Sequence, residues 1–280
     1  MKNLFSLLFL FIAAPLIAAP KNKEIEKLLL KLDSLIGKKE IIEKEKELRI
    51  SQLRLQKATV SSLEEEYWLN KKFYDEYYAY DADSTAYYIS RNLKIAADKD
   101  WKERVLEWKI KKSHLLTATG LLKEAVDELQ GISGNDLPTV LKIEYYGEMI
   151  YLYSHFGQYI GDDAKSQREY YNKEMLYRDS ICMLITPEHP LYLWYKGGRS
   201  RGADKVPEIQ KELIDAVSKS GLDTYRDALN AYILAHLYLD EGDKTSYLKI
   251  YYLFCHGRYT YGKQRYSFVG GAYTGLIYHR

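Results

Sequence analysis

The side chains that could do chemistry are few and poorly spaced for it. The chain has six histidines, His114, His155, His189, His236, His256 and His279. No two are four residues apart and no HExxH string occurs, so neighbours in sequence cannot form a paired-imidazole zinc site. Each is read as structural or exposed. Two cysteines, Cys182 and Cys255, make no disulfide framework. Cys182 lies in the apolar string SICMLI, where a thiol stays buried and inert. No GxSxG elbow, Walker loop or dinucleotide fingerprint appears. GGRSRG, Gly197 to Gly202, lacks the Lys-Ser/Thr of a phosphate loop. It reads as a solvated turn, with an anion contact by Arg199 and Arg201 as the lesser alternative. Carboxylates abound, but sequence alone singles out no acid/base pair. The expectation is a non-enzymatic protein with no catalytic residue, no cofactor and no metal.

The elements that would position these residues are helical. Of the 280 residues 46% are hydrophobic and 29% charged, which suits a folded chain and excludes wholesale disorder. Six prolines leave long helices uninterrupted, and 28 tyrosines supply apolar faces with a hydroxyl that must reach water or a partner. A net charge of +2 without a basic block argues against direct nucleic-acid binding by this segment. Residues 1–19 have one lysine, an apolar run and small residues near Ala18 and Ala19, the layout of a secretory signal peptide. The run is short for a bilayer span, so export to the periplasm, with no membrane span in the mature chain, is expected.

Residues 20–60 read as a charged helical segment. Ile25, Leu28, Leu32 and Leu35 form one seam, and Ile41, Ile42 and Leu48 stand among solvent-facing charges. A coiled-coil partner and a first helix pair packing on the following array are both compatible, the second being favoured. Ser61 and Ser62, each three residues before a glutamate, mark a helix start. Asp83 and Ser84 are expected to cap the next helix, and the aromatic stripe that includes YYAYDADSTAYY, residues 77–88, to be core rather than a carbohydrate-stacking surface.

Residues 61–254 read as an array of helix pairs. Gly120, Leu122, Ala125 and Leu129, with Ser113 and Leu116 before them, resemble a degenerate tetratricopeptide (TPR) repeat, and the hairpin's lysines read as a face for solvent or a partner. Tyr153 and Gly157 belong to a longer, irregular unit, followed by a short helix over Leu191 to Tyr195. Leu234, Ala235, Tyr238 and Gly242 give the clearest match. Recurrence roughly every 35 to 45 residues is a solenoid signature. The fold class is therefore all-α, a TPR-like α-solenoid of antiparallel helix pairs. Residues 255–280 read as an irregular tail. No Asp or Glu follows Asp243, and RYTYGKQRYS can be encoded so that a one-base slip yields DIRMENKDI, a charged, helix-compatible peptide. A frameshift near residues 250 to 257 is the expectation this raises.

The strings KLLLKLDSLIGKKEIIEKEKELRI, LNKKFYDEYYAYDADSTAYYISRNLKIA and YYNKEMLYRDSICMLI, together with the Gly120 hairpin, carry a resemblance. Over Lys21 to Tyr252 the chain resembles a family of uncharacterised Bacteroidetes sensor-regulators, whose members also resemble the shifted-frame string. The resemblance implies a TPR-like periplasmic region behind a signal sequence. In relatives it is followed by a transmembrane helix, a coiled coil and a cytoplasmic helix-turn-helix region, before which this chain stops. It implies an interaction module for a protein, peptide or small ligand; a longer, lipid-anchored type of helical-repeat glycan-binding protein is the alternative.

Overall fold

A computed structural model describes residues 39–78, 80–161, 163–199, 207–219 and 225–261. The described residues form eleven α-helices and no strands. They are α1 (Lys39–Lys57), α2 (Leu63–Tyr77), α3 (Ala82–Asp98), α4 (Lys102–Ala118), α5 (Leu122–Leu129), α6 (Thr139–Tyr159) and α7 (Ala164–Leu184). The short α8 (Tyr192–Arg199), then α9 (Pro207–Lys219), α10 (Tyr225–Asp240) and α11 (Lys244–Tyr261), complete the array. The signal-like residues 1–19 and the seam Ile25 to Leu35 lie outside the described residues.

Local chemistry sets the helix starts. Ser62 caps α2 by accepting the Glu65 N–H at 3.1 Å, and Glu65 Oε2 accepts from the Ser61 N–H and hydroxyl at 2.8 and 2.9 Å. The cap of α3 is Asp81, which accepts the Ser84 N–H at 2.6 Å; Asp83 and Ser84 fall inside the helix. Asp81 precedes the first helical N–H groups with extended backbone, the geometry a capping carboxylate requires.

Three junctions repeat one left-handed turn. Gly120 and Gly242 both have φ +81°, and Asp100 has φ +51°. In each, the next residue's N–H reaches back five residues: Leu121 to the Leu116 carbonyl, Asp243 to that of Tyr238, Trp101 to that of Ala96. This double-bonded helix end satisfies the last carbonyls, and the following helix starts two residues after the turn residue. Gly157 does not play that part. It lies within α6, and the positive φ at that junction belongs to Gly161.

Burial follows the pairs. Ile50, Tyr67, Phe73, Tyr74, Tyr88, Ile89 and Trp108 form the first core. Ile110, Ala125, Leu129, Leu141 and Met149 form the second, with Leu116, Leu122 and Tyr153 partly buried against it. Leu213, Leu229, Leu234 and Leu237 lie in a third, where Tyr238 also packs. Trp68 and Tyr87 of the expected aromatic core are instead exposed. Buried amides tie α2 to α3, Asn70 donating to Asn92 at 3.0 Å and Asn92 to the Tyr67 carbonyl at 3.0 Å.

Two further expectations change. GGRSRG is no loop at its start: Gly197, Gly198 and Arg199 are helical, and both glycines sit where side chains would collide. A Cβ on Gly197 would run into Ile233 and one on Gly198 into the Arg178 guanidinium. Arg199 Nε donates to Asp179 at 2.8 Å; Arg201 lies outside the described residues. The irregular tail does not begin at 255 either, since α11 is helical through Tyr261; residues 262–280 lie outside the described residues.

Candidate functional site

The apolar stripes of α4 and α6 are interrupted by polar residues at matching helical spacing. On α4 these are Glu107, Lys111, His114 and Thr117; on α6, Glu144, Glu148, Tyr151 and His155. Both sets recur at steps of three and four, so each lies along one face. The two faces meet and bury a polar seam.

At one end Lys111, only 2% exposed, lies 3.5 Å from Glu107 and 3.7 Å from Glu144. Lys71 of α2 reaches Glu107 at 2.7 Å, so three alternate helices, α2, α4 and α6, share the charges. Burial pushes the Glu107 carboxyl up, but Lys111 and Lys71 outweigh it and hold the group below its usual value. Burial raises Glu144, and the Glu107 charge adds to that rise against the pull of Lys111. The reading of the hairpin lysines as a solvent face thus fails for Lys111. Its ammonium lies 5.8 and 5.9 Å over the rings of Tyr74 and Trp108 as well as meeting the carboxylates. Lys112 meets Glu128 of α5.

At the other end Glu148 is fully buried. Ser113 and Thr117 donate to its Oε1 at 3.0 and 2.9 Å, and His114 Nδ1 lies 2.7 Å from Oε2. Rings continue the seam: Tyr78 to His114 at 5.9 Å, His114 to Tyr151 at 4.5 Å, Tyr151 to His155 at 4.2 Å. Burial lowers the pKa of His155 and raises that of Tyr151. Serine, histidine and glutamate are close, yet the order is wrong for acyl transfer. Ser113 gives its proton to the carboxylate, whereas nucleophile activation needs the hydroxyl on the imidazole. What this arrangement does is lock α4 against α6.

The surface recess lies next to that seam, between α6 and α7. Tyr153, Ser154 and Gly157 form one wall, and Gln167, Arg168, Tyr171 and Glu174 the other, around about 570 Å³. No heavy atom comes within 4 Å of a Cβ built on Gly157, so its missing side chain leaves the recess open. A tyrosine ladder backs the wall, with Tyr170 stacked on Phe156 at 5.1 Å and Tyr153 on Tyr177 at 5.9 Å. Glu174 is held by Arg178 at 2.8 Å. The recess therefore offers an exposed Tyr171 ring, the Arg168 guanidinium and small-residue depth. No group of three or more His, Cys, Asp and Glu among the described residues is placed to hold a metal ion. Cys182 is a half-buried free thiol whose pKa burial raises.

The family described as the SusR N-terminal TPR domain matches residues 36–254. The chain belongs to this family. No curated protein and no solved structure matches it. The SusR-type TPR domain spans both the seam and the recess, so both belong to a helical-repeat interaction module. No helix among the described residues is long and apolar enough to cross a membrane.

Apart from Ser113 and the histidines His114 and His155, read as structural or exposed, the residues of the seam were not singled out from the sequence. Of the repeat positions, only Ser113 contributes to it, and Gly157 and Tyr153 line the recess; Leu234, Ala235 and Gly242 lie far along the chain in the α10–α11 pair. The available signal was the spacing of Lys111 and His114 against that of Glu144 and Glu148 inside otherwise apolar helices.

Proposed function

We propose that this chain is the exported, non-enzymatic ligand-reading region of a membrane-anchored transcriptional regulator, and that the ligand enters the recess between α6 and α7. The supporting observation is the SusR-type TPR match over 36–254, across a stretch where an open recess abuts a buried polar seam. A ligand lodged against Tyr153 and Ser154 presses on α6, whose Glu144 and Glu148 fix it to α4. Binding energy at the recess is thereby coupled to helix packing rather than to a reaction.

The test is thermal unfolding of the purified protein with size-fractionated periplasmic extract of the native host as probe. One fraction raises the melting temperature of the wild type. It leaves Gly157→Trp unchanged, because the indole occupies the recess while its own fold is kept. Equal stabilisation of both proteins would place the ligand elsewhere; stabilisation by polysaccharide fractions alone would favour the glycan-binding alternative.

A further inference from the structure

The first helix carries an apolar stripe that faces away from the array. Ile41, Leu48 and Leu55 are 59%, 61% and 75% exposed. They are seven residues apart, while Ile50 on the opposite face is fully buried against α2. Seven-residue spacing keeps side chains on one slowly drifting face, the pattern of helix pairs that coil left-handed. Lys46 and Arg49 turn to the inner side, where both meet Glu76 of α2. The stripe is thus separate from the packing that holds α1 in place.

From its symmetry we infer that this stripe is a self-association surface, pairing α1 antiparallel with α1 of a second copy. A two-fold axis at Leu48 sets that residue against itself and Ile41 against Leu55 of the other copy. Charge runs the same way. Leaving out the inward Lys46 and Arg49, Lys39–Glu47 holds four glutamates and two lysines, net −2, and Leu48–Lys57 holds Arg54 and Lys57 and no carboxylate, net +2. Antiparallel pairing lays each acidic half along the other copy's basic half, whereas parallel pairing sets the two basic halves together. Polar Glu45 and Gln52 break the stripe between its aliphatic residues, and six such side chains in all are fewer than a stable interface of ~1,200–2,000 Å² uses. The association is weak, seen at high protein concentration.

Single cysteines placed in a Cys182→Ser, Cys255→Ser background of the purified protein test this, because a disulfide requires close approach. Under mild oxidation Leu48→Cys alone forms a covalent dimer. Ile41→Cys and Leu55→Cys each stay monomeric but cross-link when mixed. In sedimentation, Leu48→Glu weakens self-association at least about tenfold, and added salt weakens that of the unmodified protein. Self-linking of Ile41→Cys would mean parallel pairing and overturn the proposal. So would the absence of any cross-link, which would assign the stripe to residues 1–38 or to a different protein.

Discussion

Glu148 gathers three buried partners in the seam. Ser113, Thr117 and His114 all turn to it, so truncation strands three polar groups at once. Glu148→Leu is expected to cost about 3–5 kcal/mol in urea unfolding, and Glu148→Gln, which still accepts, clearly less. Glu107 gives a pH signature. Its carboxyl is held below 4.5 in the fold, so it adds stability above that value, lost as pH falls through the folded pKa. Glu107→Gln should therefore lower neutral-pH stability by about 1.5–3 kcal/mol. The gap to the unmodified protein should close as melts are taken below pH 4.5. A gap that stays constant down to acid pH would contradict the role given to Lys111 and Lys71. Glu144, raised above 4.5, acts oppositely, favouring the fold as pH drops towards that value.

At the scale of elements, the left-handed turns decide where helices stop. Gly120→Ala forces a Cβ into φ +81° and should cost about 1–2 kcal/mol. Asp100→Gly, at φ +51°, should gain about 0.5–1 kcal/mol, both read by chemical denaturation. In α8, Gly197→Ala should destabilise by about 1–3 kcal/mol through its collision with Ile233, and Ile233→Ala should relieve part of that cost in a double-mutant cycle. The turn at Gly120, the repeat spacing around Leu234 and the Ser62–Glu65 cap were legible because each depends on residues a few positions apart. Asp100 was not, since aspartate rarely takes a glycine's conformation. Gly197 and Gly198 looked like a loop because close helix approach and chain flexibility use the same residue. The seam was hidden for a related reason: Lys111 resembles any surface lysine until Glu144, 33 positions on, is brought against it.

Across the whole molecule, the seam divides the array into a coupled part and a separate one. Charges and rings link α2, α4 and α6, whereas Leu213, Leu229 and Leu234 build a core of their own around α9 and α10. Glu148→Gln should raise amide exchange in α4 and α6 while leaving α10 near wild type, as nearest-neighbour coupling in repeat arrays predicts. The most direct test of the central claim is hydrogen exchange of the purified protein with and without the stabilising periplasmic fraction. The account predicts added protection in residues 153–157 and 164–174, spreading to α4. Protection confined to α9–α11, or none in the recess, would contradict it.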